Sequence, residues 1–127
     1  MTEEQLKSII LMGEGYKAEF KKAVPSKARE IAEEACAFAN AAGGLVLIGV
    51  DDNNNITGIS IDNRQRSAIQ DAINSITPKL NCKFEEIKLI EGNIFVIEVP
   101  SGQLKPYVYS GAIYVSYWSK LTEAFIG

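Results

Sequence analysis

The chain has no histidine, two cysteines, one tryptophan and four prolines in its 127 residues. Without histidine it cannot build a Ser-His-Asp triad, a Cys–His dyad or an imidazole metal site from its own side chains. Cys36 and Cys82 are too few and too far apart for a disulfide framework or a zinc motif. A metal held here would need oxygen ligands. Long apolar runs are also missing. The longest, from Leu45 to Val50, is far short of a membrane span. The opening Met1-Thr2-Glu3-Glu4 is acidic and polar, unlike a signal peptide, which makes the cytoplasm the expected location.

Apolar residues make up 46% of the chain and charged residues 23%, enough for one compact core and ordinary for a globular domain. The net charge of −3 does not point to a nucleic-acid partner. Locally the balance differs. Lys17, Lys21, Lys22, Lys27 and Arg29 face only Glu19 in that stretch, a local balance of +4. Such a cluster can meet phosphates, or it can be a solvated face.

Periodicity divides the chain into short elements. Thr2 to Gln5 fits a capping box, opening a helix with Leu6, Ile9 and Ile10 on one side and Gly13 at its end. Residues 16–22 alternate as a half-buried strand. Ser26 is placed to cap a helix over 26–42, with Ile31, Ala35, Phe38, Ala39 and Ala42 at helical spacing, closed by Gly43-Gly44. Leu45 to Val50 reads as a strand buried on both faces, 51–55 as a turn and 56–59 as a short returning strand. Asp62 caps a helix to about Thr77, with Ile69, Ala72, Ile73 and Ile76 inward and Pro78 beyond. Strands over 84–90 and 94–99 flank a turn at Glu91-Gly92-Asn93, another strand covers 113–117, and a short helix is expected near Thr122. The expected fold is one α+β domain, a mixed α/β sheet packed by helices, over 1–127.

Five stretches together carry a resemblance. Residues 14–21 read E-x-x-x-x-E-F-K, and 37–52 read A-F-A-N-A-A-G-G-L-V-L-I-G-V-D-D. Ile56-Thr57-Gly58, then Lys105-Pro106-Tyr107 and Ile113-Tyr114-Val115, follow. This series resembles the Schlafen AlbA-2 domain, found in bacterial transcriptional regulators and in animal Schlafen proteins. The resemblance covers roughly residues 13 to 125. It implies a nucleic-acid-binding domain, DNA or RNA, placed as the N-terminal part of a longer bacterial regulator. Lys17, Lys21, Lys22, Lys27 and Arg29 are the residues expected at the phosphates. Some Schlafen relatives are RNA endonucleases with three acids, which map here onto Glu14, Glu19 and Asp51. The resemblance therefore also implies an alternative, a ribonuclease holding Mg2+ or Mn2+ on those three carboxylates. No G-x-x-x-x-G-K-[ST] phosphate loop is present, so an ATPase label seen in the family does not carry over. Ser116-Tyr117-Trp118 stands where the family often has an arginine and a small residue. Asn40 reads as a helix-end residue that bonds backbone. A third reading, from another class, is a protein interaction or homodimerisation domain using the strand near Ile113 and exposed aromatics.

Overall fold

The structure is a computed structural model that describes residues 1–15, 17–117 and 120–125, with side chains through Val115. Thr2 and Gln5 form the reciprocal capping box that starts helix α1 (Glu3–Met12), and Gly13 ends it at φ +84°. Strand β1 (Ala18–Lys21) leads to helix α2 (Arg29–Asn40) and strand β2 (Gly44–Ile48). Helix α3 (Asn63–Asn74) follows, capped by Asp62 and Gln65. Strands β3 (Lys83–Lys88), β4 (Asn93–Val99), β5 (Ala112–Tyr117) and β6 (Lys120–Phe125) complete the order.

Four strands form one sheet in the order β1-β2-β4-β3, and β5-β6 form a separate hairpin. β1 and β2 run parallel, joined by α2, while β2–β4 and β4–β3 are antiparallel. The sheet is therefore mixed, as the order of apolar runs implies. Alternation along β2 sends Val46 and Ile48 to one face and Leu47 to the other. Val46 and Ile48 pack with Ile31, Phe38, Ile69 and Ile73 from α2 and α3, while Leu47 and Val50 pack with Leu6, Ile10, Ala18 and Phe20. Helices thus cover both faces, which is why β2 lacks a polar side. α2 has apolar residues buried all round, from Ile31 to Ala39, because β5 packs on it opposite the sheet. Its alanines allow that close fit from two sides.

Three local expectations need correction. α2 begins at Arg29, not Ser26, and its N-cap, Ala28, makes no side-chain cap. The Lys27 and Ala28 carbonyls accept from Glu30 and Ile31, a tight turn that takes the place of the Ser26 cap. Residues 56–59 do not form a strand. Ile56 bridges Val50, but the Thr57 and Gly58 amides both turn to the Gly49 carbonyl, so no ladder can extend. Thr122 lies in a strand, not a helix, opposite Val115 in the β5–β6 hairpin. Hairpin pairing satisfies the β5 backbone groups, a long-range need that local sequence does not display. Expectations for Tyr16 and Trp118 fall outside the described residues.

Candidate nucleic-acid interface and its buried acid cluster

β1 is an edge strand of the sheet; it carries Glu19 and Lys21, and Lys17 and Lys22 flank it. Its register sets Glu19 opposite Val46 and Lys21 opposite Ile48, so both polar side chains face the α2 side. Ala18 and Phe20 face the α1 side and are buried. The Lys17 and Lys21 carbonyls accept from β2 and from the Gly49 turn, so Ala18 and Phe20 turn their backbone groups to the open edge. That edge is covered locally. The Ala18 amide and carbonyl pair with Gly15, and the Phe20 amide donates to Glu14 Oε1 at 2.9 Å. Unpaired strand edges invite pairing with other chains, and Glu14 blocks this one.

The bridge between Gly15 and Ala18 turns the chain so that Glu14 lies close enough to Glu19 to raise its carboxyl, although five residues of extended strand would have set them on opposite sides. The third acid beside them comes from α2. Glu34 is 5% exposed, and its Oε2 lies 2.7 Å from Lys21 Nζ, while its buried Oε1 has no hydrogen-bond partner. Burial under α2, repulsion from Glu34 and the bond to Glu14 push the Glu19 carboxyl up to about 8, against a smaller opposing pull from Lys21. Burial also raises Glu34, and Lys21 offsets part of that rise. Glu19 therefore holds a proton at neutral pH. Glu34 had a signal in the sequence. It stands three residues after Ile31 and four before Phe38, on the apolar stripe of α2.

Asp51 does not join this cluster. Glu19 sits opposite Val46 in β1, whereas Asp51 lies past the Gly49 turn that follows β2. Asp51 Oδ1 accepts from the Asn53 and Asn55 amides, each at 2.9 Å, and these bonds hold its carboxyl below the usual range. Its role in the structure is to fix the 51–55 turn. Among the described residues no three acids or cysteines form a group able to hold a metal ion. Glu14 Oε1 is engaged with the Phe20 amide and Asp51 Oδ1 with its turn.

The basic cluster also divides. Lys21 is committed to Glu34, with its side chain only 19% exposed. Arg29 pairs with Glu33 at 3.1 Å, one turn along α2, and Glu33 also accepts the Tyr114 hydroxyl. Lys17, Lys22 and Lys27 are exposed. They lie at the two ends of β1 and in the approach to α2.

The A-F-A-N-x-x-G-G block is structural at each step. Asn40 Nδ2 donates to the Tyr107 and Tyr114 carbonyls, at 3.0 and 2.9 Å, and Oδ1 accepts from the Tyr107 amide. This one side chain ties the Lys105-Pro106-Tyr107 loop and β5 to α2. Gly43 has φ +83°, and a Cβ there would lie 2.8 Å from Ser101 N and Val99 O. A side chain on Gly44 would run into the Phe38 ring. The close pass of these glycines leaves a cavity of about 690 Å3 between the end of α1 and the start of β2. Ile9, Met12, Leu45 and Pro100 contribute to its walls, and Glu14, Lys17 and Glu98 are its exposed charged side chains.

Comparison with known proteins agrees with this architecture. The Schlafen, AlbA_2 family model matches residues 14–123. A comparison with curated proteins returns no match. Among solved structures, the DIP2311 protein of Corynebacterium diphtheriae superposes with a TM-score of 0.66 at 17% identity, over 95% of this chain. The chain spans only 29% of that protein's length. The N-terminal domain of a RecG-related protein from Nitrosomonas europaea superposes with a TM-score of 0.64 at 19% identity, over 97% of this chain and 87% of that one. At these identities the likeness is one of fold. The family match, which takes in both the E-F-K strand and the A-F-A-N-x-x-G-G block, shows that the chain belongs to the Schlafen AlbA_2 family.

Proposed function

We propose that this domain binds nucleic acid through Lys17, Lys22 and Lys27, as the DNA- or RNA-contacting module of a bacterial regulator. The observation that carries the reading is the sorting of the basic cluster. Lys21 is held by Glu34 and shielded, whereas Lys22 and Lys27 are exposed beside edge strand β1, and Lys17 is exposed at its start. Lysines placed this way neutralise phosphates and release condensed counterions, so affinity falls steeply with salt. Family membership supports the same reading, and the Nitrosomonas neighbour belongs to a DNA-helicase RecG-related protein.

Fluorescence anisotropy with labelled single-stranded and duplex oligonucleotides, over a series of salt concentrations, tests it. Charge reversal at Lys22 and Lys27 should weaken binding for every sequence and lower the salt slope by roughly one unit per lost contact. Unchanged affinity and slope would remove this cluster from the interface. The ribonuclease alternative makes a separate demand. It requires Mg2+- or Mn2+-dependent cleavage that is lost in Asp51→Asn, and the engagement of Asp51 in its turn argues against that outcome.

A further inference from the structure

We propose that the cavity between α1 and β2 receives one unpaired nucleobase, and that Glu98 selects bases carrying an exocyclic amine. This inference rests on the nucleic-acid reading and deepens it, naming the strand state and base class that the surface takes.

The cavity holds about 690 Å3, within the usual range for small-molecule sites and ample for a single nucleotide. Its walls are those a base needs. Ile9, Met12, Leu45 and Pro100 offer apolar surface to flat base faces. Gly43 and Gly44 line it too, and they bring bare backbone close. Three exposed charged side chains, Glu14, Lys17 and Glu98, belong to the same cavity. Lys17 stands just before β1, at the cavity. A strand whose phosphate meets Lys17 passes the cavity mouth, so one of its bases can enter.

Glu98 supplies the acceptor. It is exposed on β4 opposite Leu45, at the cavity. Glu14 also lines the cavity, but its Oε1 is spent on the Phe20 amide. A carboxylate accepts hydrogen bonds and gives none. It therefore suits the amino groups of cytosine, adenine and guanine. Uracil and thymine present one N–H between two carbonyl oxygens, and those oxygens repel a carboxylate. A paired base has its amino group already engaged and cannot reach the cavity without leaving the stack. The domain should thus prefer single strands rich in cytosine or adenine.

The test uses fluorescein-labelled RNA homopolymers of cytidine, adenosine and uridine, roughly 10 nucleotides long to suit single-strand site sizes. Anisotropy is read at low and moderate salt. Oligo-C and oligo-A should bind about tenfold more tightly than oligo-U, the scale of one good base contact. Ala42→Phe, an exposed cavity residue enlarged to fill it, should lower oligo-C and oligo-A to the oligo-U level. Glu98→Ala should do the same without touching the walls. Weak, salt-dependent binding should survive in both variants. Equal wild-type affinity for all three homopolymers, or two folded variants that leave the ranking intact, overturns the base-site proposal while salt-dependent binding still supports the surface lysines. Loss of all salt-sensitive binding in the wild type overturns both.

Discussion

Lys21→Met separates a structural lysine from a binding one. Lys21 Nζ lies 2.7 Å from Glu34 Oε2, with side chains 19% and 6% exposed. Removing one partner of a buried ion pair costs ~3–5 kcal/mol, because the remaining charge is left without compensation. Here the lower part of that range applies, since Glu34 can escape by taking a proton and its carboxyl is already raised by burial. Escape is cheap in acid and costly in base. The loss should therefore be smaller at pH 5 than at pH 8, and about 3 kcal/mol where Glu34 stays charged. For a domain whose total stability lies in the usual ~5–15 kcal/mol, that is a large fraction. Urea unfolding followed by circular dichroism at both pH values measures it. Lys21→Met/Glu34→Leu, which removes both charges and fills the space, should recover most of the loss. A Lys21→Met protein as stable as wild type at pH 8, yet as defective in oligonucleotide binding as a Lys22 variant, would refute the assignment of Lys21 to the fold.

Other outcomes follow from the same geometry. Glu19 carries its proton to about 8 in the folded chain, above its ordinary 4.5. Between those values the folded state binds more protons than the unfolded, so its stabilising contribution is full below about pH 4.5 and is lost as pH rises through 8. Wild-type stability should fall across that window by a few kcal/mol at most, and Glu19→Gln should flatten much of the slope; an unchanged slope in denaturant titrations would count against the buried acid pair. Asn40→Ala strands the Tyr107 amide and two carbonyls at the α2–β5 junction and should cost roughly 2–4 kcal/mol, seen as a lowered urea midpoint. Phe38→Ala opens the core beneath Gly44 and should cost about 3–5 kcal/mol by the same measurement.

What the sequence displayed, and what it hid, divides along physical lines. Apolar period and cap chemistry are local, so α1, α3 and the inner position of β2 were legible from Thr2-Gln5, Asp62-Gln65 and the Leu45–Val50 run. The core positions Ile31, Phe38, Leu47, Ile69 and Ile73 are all 2% exposed or less. Elements decided by distant partners were not legible. Thr122 lies in a strand because β5 needs a neighbour, and Ile56 to Ile59 fails as one because Gly49 captures its amides. The site shows the same division. A run of five cations is visible in sequence, but the acids that take Lys21 and Arg29 are not, since Glu33 and Glu34 read as ordinary helix charges until the α2 stripe is counted. The meeting of Glu14 with Glu19 depends on the Gly15–Ala18 bridge, and the bonds of Asp51 to its own turn depend on Asn53 and Asn55.

The central claim is that Lys22 and Lys27, with Lys17, contact phosphate, while Lys21 serves the fold through Glu34. The most direct measurement is the salt dependence of oligonucleotide affinity in wild type, Lys22→Glu/Lys27→Glu and Arg29→Ala. The account predicts a salt slope lower by roughly two units in the double variant and nearly unchanged in Arg29→Ala, all three remaining folded. Equal slopes in wild type and the double variant, or a larger loss in Arg29→Ala, would contradict it.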